Sequence, residues 1–367
     1  MDGDDTLLIG TRKGLFTARP GGAGWRLDVP PRFLGEPVSA VLADPRDGSW
    51  TVALRLGHFG VKLHRSTDRG ATWQALGEPA FPPAAEGQGE GEAKAATLDQ
   101  VWCLAAGGAD EPGVLWAGCI PAGLFRSADH GATWQLVSAL WDRPERREWM
   151  GGGYDDAGLH SICVDPRDAR HLTVAISCGG IWQSRDGGAS WDLTAQGLRA
   201  DYLPPELAGA QNTQDPHRMV VCAAAPDVLW VQHHNGIFRS TDGARQWLEI
   251  DTAQPSCFGF AVAVHPQDAD TAWFVPAVKD QYRVPVDGRL VVTRTRDGGR
   301  SFTALDTGLP PPPAYDLVYR HALAVDGSGE RLAFGSTTGG LWTSDDGGDR
   351  WSCLSAHLPP VHCVSFT

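Results

Sequence analysis

The sequence has no CxxC pair, no HExxH phrase, no membrane-length apolar run and no surplus of basic charge. Each absence closes off a class of protein. Eight cysteines without paired spacing read as reduced thiols. Four of them, Cys103, Cys163, Cys222 and Cys363, fall in strand-like runs where a free thiol packs as a small hydrophobe. No apolar stretch follows the acidic opening Met1-Asp2-Gly3-Asp4-Asp5, so neither a signal peptide nor a membrane span is expected, and the expected compartment is the cytoplasm. A net charge of -13 argues against nucleic acid as a partner, because nucleic-acid binders present a basic patch or stripe.

What the sequence does have is turns. Its 367 residues include 45 Gly and 26 Pro, which points to short strands, and 42% apolar content is enough for a large core. Length alone suggests more than one domain, but self-similarity overrides that prior. The phrase Ser66-Thr67-Asp68-Arg69-Gly70-Ala71-Thr72-Trp73 returns at Ser127–Trp134, Ser184–Trp191 and Ser344–Trp351. Looser copies run from Ser240 to Trp247, with Ala244 in place of the glycine, and from Thr295 to Phe302. A worn first copy ends at Trp25, with Pro20 where the aspartate belongs. The closing aromatics are spaced by 48 to 61 residues, a period suited to a four-stranded propeller blade. Asp and Ser side chains hold a tight turn by bonding nearby amides, and glycine accepts the positive φ such a turn needs.

Each repeat resolves into four strands. The third carries an apolar pair before the phrase, as in Leu124-Phe125 or Ile181-Trp182, and the first often ends in a turn such as Asp44-Pro45-Arg46-Asp47. The chain opens on a second strand, Thr6 to Gly10, and closes on a first strand, Val361 to Phe366. The last strand is therefore expected to complete the first blade and leave no open edge.

The repeated phrase resembles the Asp-box, or BNR, repeat of sialidases and related propeller proteins, over essentially the whole chain. The resemblance implies an all-β fold, a single seven-bladed propeller over residues 1–367. It implies little about chemistry, because in those families the boxes are structural and lie away from the active site.

Alternating strand direction puts the repeated phrases and the Asp-Pro turns on one face. The other face receives the long loops, roughly 77–98, 138–157, 195–216, 278–288 and 306–316, and long loops on a rigid scaffold are where sites are built. Within the first loop, the Ala-, Gly- and Glu-rich segment Ala84 to Ala96 is expected to be mobile. Aligning the first strands sets His160, His321 and His362 at one position in three blades. Ser39, Trp102 and Phe260 are their equivalents elsewhere, and His217-Arg218 opens another first strand.

Several chemistries compete for this face. Arg12, Arg55, Arg218, Arg283 and Arg320 could surround a carboxylate or phosphate, with His58, His233, His234 and Lys279 in the neighbouring loops. Trp102 and Trp149 could stack on a sugar. Paired carboxylates for glycoside hydrolysis would come from Glu148, Asp155, Asp156, Asp280, Asp287 and Asp316, two of them about 5–10 Å apart, with Asp155, Asp156, Asp280 or Asp316 as the candidate acid. His160, His321 and Tyr319 are candidate acid/base groups for a hydrolase or, as in propeller-fold polysaccharide lyases, for elimination on a uronate. His160, His217, His321 and His362 are candidate ligands for a divalent metal, Zn or Mn; no other cofactor is expected.

True sialidase activity is not expected. Ile9-Gly10-Thr11-Arg12 lacks the family's early Phe/Tyr-Arg-Ile-Pro motif, and the similar Tyr282-Arg283-Val284-Pro285 sits in the sixth repeat. The expected ligand is a small anion, a sugar acid or other carboxylate. The alternative is a non-catalytic scaffold holding a protein partner on the irregular face, since the repeats also resemble the photosystem II assembly factor family.

Overall fold

The computed structural model describes residues 5–22, 24–83 and 96–367. Seven antiparallel sheets of four strands follow one another around a ring. Six are built from consecutive strands, as in the second blade, where Val38–Ala43, Trp50–Arg55, Val61–Ser66 and Gln74–Ala75 pair in order. The first blade differs. Its strands Leu7–Thr11, Gly14–Gly21 and Gly24–Leu27 are completed by Val361–Phe366, with Leu7 opposite Phe366 and Ile9 opposite Val364. The Thr367 amide extends this seam to the Thr6 carbonyl at 3.0 Å, and Arg331 of the seventh blade pairs with Asp5. The segment Ala84 to Ala96 lies outside the described residues except for Ala96.

The repeated phrase folds the same way six times. The Ser66 hydroxyl donates to Asp68 Oδ1 and accepts from the Gly70 amide, both at 2.8 Å, while Asp68 Oδ1 also accepts the Thr72 amide at 2.8 Å. The same three bonds recur in the turns opened by Ser127, Ser184, Ser240, Thr295 and Ser344. The fifth residue is left-handed in every copy, at φ 94° for Gly188 and φ 66° for Ala244. Two of the closing tryptophans bond to the preceding blade, Trp134 and Trp247 donating their Nε1–H to the carbonyls of Gly77 and Thr194, whereas Trp73 and Trp191 bond to Gly70 and Gly188 within their own turns.

Apolar side chains of adjoining blades interlock between the sheets. Met219, Val231 and Phe238 of the fifth blade share one buried cluster with Ala175 and Ile181 of the fourth. The Asp-Pro-Arg turns add polar clasps on the phrase-bearing face. Arg46 chelates Asp44 and donates to the Glu111 and Val114 carbonyls of the next blade, and Arg167 bridges Asp165 to Asp227 of the next blade. Among the described residues no helix is long and apolar enough to cross a membrane.

Candidate functional site: the arginine-lined channel mouth

The first strand of each blade faces the central channel, and six of the seven carry the same irregularity. Pairing with the second strand slips at Ser39, Trp102, His160, His217 and His362, and over Phe260-Ala261 in the sixth blade. A bulge re-aims the side chain it skips. Three of the histidines use this to reach the neighbouring blade. His160 Nε2 lies 2.7 Å from the Pro216 carbonyl, His217 Nδ1 2.7 Å from the Gly259 carbonyl, and His362 Nδ1 3.0 Å from the Val38 carbonyl. Each acceptor opens the next first strand. A carbonyl only accepts, so each of these nitrogens carries the proton. Burial holds the pKa of all three rings below the ordinary histidine value.

These bonds correct the expected four-histidine metal set. His160 has both nitrogens engaged, the second with Ser161 Oγ at 2.9 Å, so it is neither a ligand nor a free base. His321 spends Nε2 on the His160 carbonyl at 2.7 Å. Among the described residues the convergent donor group is instead Asp215, His217 and His234.

At the irregular face the channel opens into a cavity of about 650 Å³. Arg12, Arg55, Arg283 and Arg320 line it together with Trp102, Tyr154, Tyr319, His321 and His362. Two of the arginines are neutralised: Arg55 by Asp99 at 2.8 Å, and Arg283 through its Nε by Asp280 at 3.0 Å. The other two are not. Among the described residues Arg12 has no carboxylate partner, and Arg320 has no ion pair or hydrogen bond. Arg320 is 8% exposed, with its guanidinium 4.8 Å from the Trp102 ring and 5.6 Å from that of Phe260, and its Nε is buried without an acceptor.

A second cavity of about 350 Å³ continues the channel toward the other face. Trp102 and His321 border both spaces and so form the partition between them. Arg218 belongs to the second cavity, donating to the His160 carbonyl at 3.2 Å, and is not at the mouth as expected.

Other expected residues also fall elsewhere. His58 is exposed beside Phe59, and Lys279 lies over the Tyr282 ring. Trp149 packs edge-on to Trp182, outside the mouth. His233 is buried, with the amides of Asp215 and Asn235 each 3.1 Å from one of its ring nitrogens. Asp155 and Asp156 are exposed, Asp316 is bonded by Ser336 and Thr338, and Asp280 serves Arg283. The expected pair of catalytic carboxylates is therefore not assembled among the described residues lining the mouth. The carboxylate that does line it, Asp99, was missed, although it immediately precedes the first strand of the third blade.

No protein-family model matches the chain. A probable oligoxyloglucan-reducing end-specific xyloglucanase of Neosartorya fischeri is 23% identical over 82% of this chain and 37% of its own length. Among solved structures, the GH74 xyloglucanase of Xanthomonas campestris aligns at TM-score 0.65 and 18% identity, over 95% of this chain and 52% of that one. YCF48 bound to D1 peptide aligns at TM-score 0.56 and 14% identity, over 92% of this chain and 88% of that one. The chain thus spans little more than a third of its curated relative, about half of the GH74 structure and most of YCF48. At these identities the structural likeness is one of fold: an all-β propeller of four-stranded blades.

Proposed function

We propose that the channel mouth binds a small carboxylate-bearing saccharide, a sugar acid, and that the repeated turns are Asp-boxes of a sialidase-like propeller. Arg320 carries the reading. A buried guanidinium without a partner is costly, and an anion in the cavity offsets that cost with charge-assisted hydrogen bonds. Arg12 supplies a second guanidinium on the same cavity, while Trp102, Tyr154 and Tyr319 supply aromatic surface for a sugar ring. The xyloglucanase relative supports a saccharide as the class of ligand.

If the ligand is turned over, elimination suits this lining better than hydrolysis. Hydrolysis by the usual route needs two carboxylates flanking the bond, whereas elimination from a uronate needs a carboxylate clamp and one acid/base group. That group takes the C5 proton and returns it to the departing C4 oxygen as the C4–O bond breaks and the C4–C5 double bond forms. Arg12 and Arg320 are the clamp in this reading, and Tyr319 is the base.

Isothermal titration tests it with galacturonate oligosaccharides against neutral xyloglucan oligosaccharides. The acidic series is expected to bind with an affinity that weakens as salt rises, and Arg320→Met and Arg12→Met are each expected to weaken it at least about tenfold. Equal affinity for the neutral series would refute the anion reading. Tighter binding of a peptide with a free C-terminal carboxylate would move the site to protein recognition, the reading that YCF48 favours. Formation of an unsaturated product, followed by its absorbance, decides for elimination.

A further inference from the structure

We infer that Asp215, His217 and His234 form a binding site for a first-row divalent transition-metal ion, directly behind the wall of the channel mouth. Asp215 Oδ2 lies 3.5 Å from His217 Nε2 and 3.3 Å from His234 Nδ1, and the donor atoms of all three residues fall within 4.8 Å of one another. A tetrahedral ion with bonds of about 2.0–2.2 Å separates its ligand atoms by about 3.3–3.6 Å.

The protonation pattern points the same way. His217 donates Nδ1–H to the Gly259 carbonyl, so in the neutral ring Nε2 presents a lone pair toward a carboxylate oxygen. Two acceptors face each other there, and a cation between them turns that repulsion into two bonds. A backbone carbonyl fixing the far nitrogen is the usual support for a metal-bound imidazole.

Asp215 is held just as firmly. Its Oδ1 accepts the Ser177 hydroxyl at 2.9 Å and the Cys178 amide at 3.2 Å. Its own amide donates to His233 Nε2, and its carbonyl accepts the His234 amide at 3.0 Å. The Asp215 and His217 side chains are 3% and 2% exposed and that of His234 is 22%, so access is from the His234 side. Two imidazoles and one carboxylate suit Zn²⁺, Mn²⁺ or Fe²⁺ and leave positions open for water or a ligand. Gly152 separates this cluster from the mouth: it lines the cavity, and a Cβ there would stand 3.3 Å from Asp215 Oδ1.

The test uses the full chain, stripped with EDTA and titrated with Zn²⁺ and with Co²⁺. One ion per chain is expected by elemental analysis, with visible Co²⁺ bands and no thiolate charge-transfer band. His234→Gln keeps the buried Asp215–His217 pair and is expected to lose affinity at least about 100-fold, with its fold checked by circular dichroism. His58→Gln, on an exposed loop, is expected to bind like the parent. Absence of stoichiometric binding, or binding that survives in His234→Gln, would overturn the inference and leave a carboxylate–imidazolium cluster held by a proton. Sugar-acid titration of the stripped protein keeps this outcome separate from that of the arginine mouth.

Discussion

His321 of the seventh blade donates its Nε2–H to the backbone carbonyl of His160 in the fourth, 2.7 Å away. The bond spans the channel rather than the seam between adjoining blades, unlike those of His160, His217 and His362. Together with Trp102 it partitions the channel into two cavities.

His321→Ala should therefore join the spaces of about 650 and 350 Å³ into one pore. Losing the hydrogen bond and leaving a cavity should cost about 2–4 kcal/mol. Chemical denaturation measures the cost, and a crystal structure shows whether ordered water runs through. A variant whose channel stays closed would deny His321 the role of partition.

Arg320→Met should separate stability from binding. The guanidinium has no bonded partner among the described residues, and burial disfavours its charge. Replacing it with an apolar side chain of similar length should leave the melting temperature unchanged or raise it. Sugar-acid affinity should fall at least about tenfold with the loss of a charge-assisted bond. A large drop in melting temperature would mean that Arg320 is structural.

Acid stability should depend on the repeated turns. Asp68, Asp129, Asp186 and Asp297 are lowered to about 2, chiefly by the hydroxyl of Thr72, Thr133, Ser190 or Ser301. A carboxylate whose pKa falls on folding contributes in full above its unfolded value, near 4. That contribution is lost as pH drops toward the folded value. Stability should thus decline between about pH 4 and pH 2, and Thr72→Val should raise the Asp68 pKa when followed by NMR titration. An Asp68 titration unmoved by Thr72→Val would assign the shift to the Ser66 hydroxyl and the backbone amides instead.

Two glycines of the same turn should respond unequally to alanine. Gly188 and Gly299 share φ values of 94° and 93°. A Cβ at Gly188 would meet Val137 at 3.4 Å, whereas at Gly299 it would meet Ile250 Cδ1 at 2.4 Å. Gly188→Ala should cost about 1–2 kcal/mol, the left-handed penalty alone, which Ala244 already carries in its own copy. Gly299→Ala should cost clearly more, because Ile250 must shift. Equal melting temperatures for the two variants would contradict this.

The scaffold was legible because its instructions are local. A turn of eight residues contains its own donors, acceptors and left-handed position, so Ser66 to Trp73 can be read without knowing what surrounds it. The phase of the repeat likewise placed Val361–Phe366 in the first blade. The site was legible only in part, because it depends on partners brought from separate blades. Arg55 finds Asp99 and His321 finds the His160 carbonyl only through closure of the ring.

One contrast marks the boundary between the two kinds of information. His217-Arg218 and Arg320-His321 both join an arginine to a histidine at the channel, and the residues alone gave both arginines one role. In the fold Arg320 lies on the mouth cavity and Arg218 on the cavity beyond the partition. The sequence by itself determined that arginines reach the channel, since the repeat sets where each first strand begins. Tertiary structure decided which of them line the mouth, because that depends on the bulges, on the partition formed by Trp102 and His321, and on the carboxylates the neighbouring blades bring.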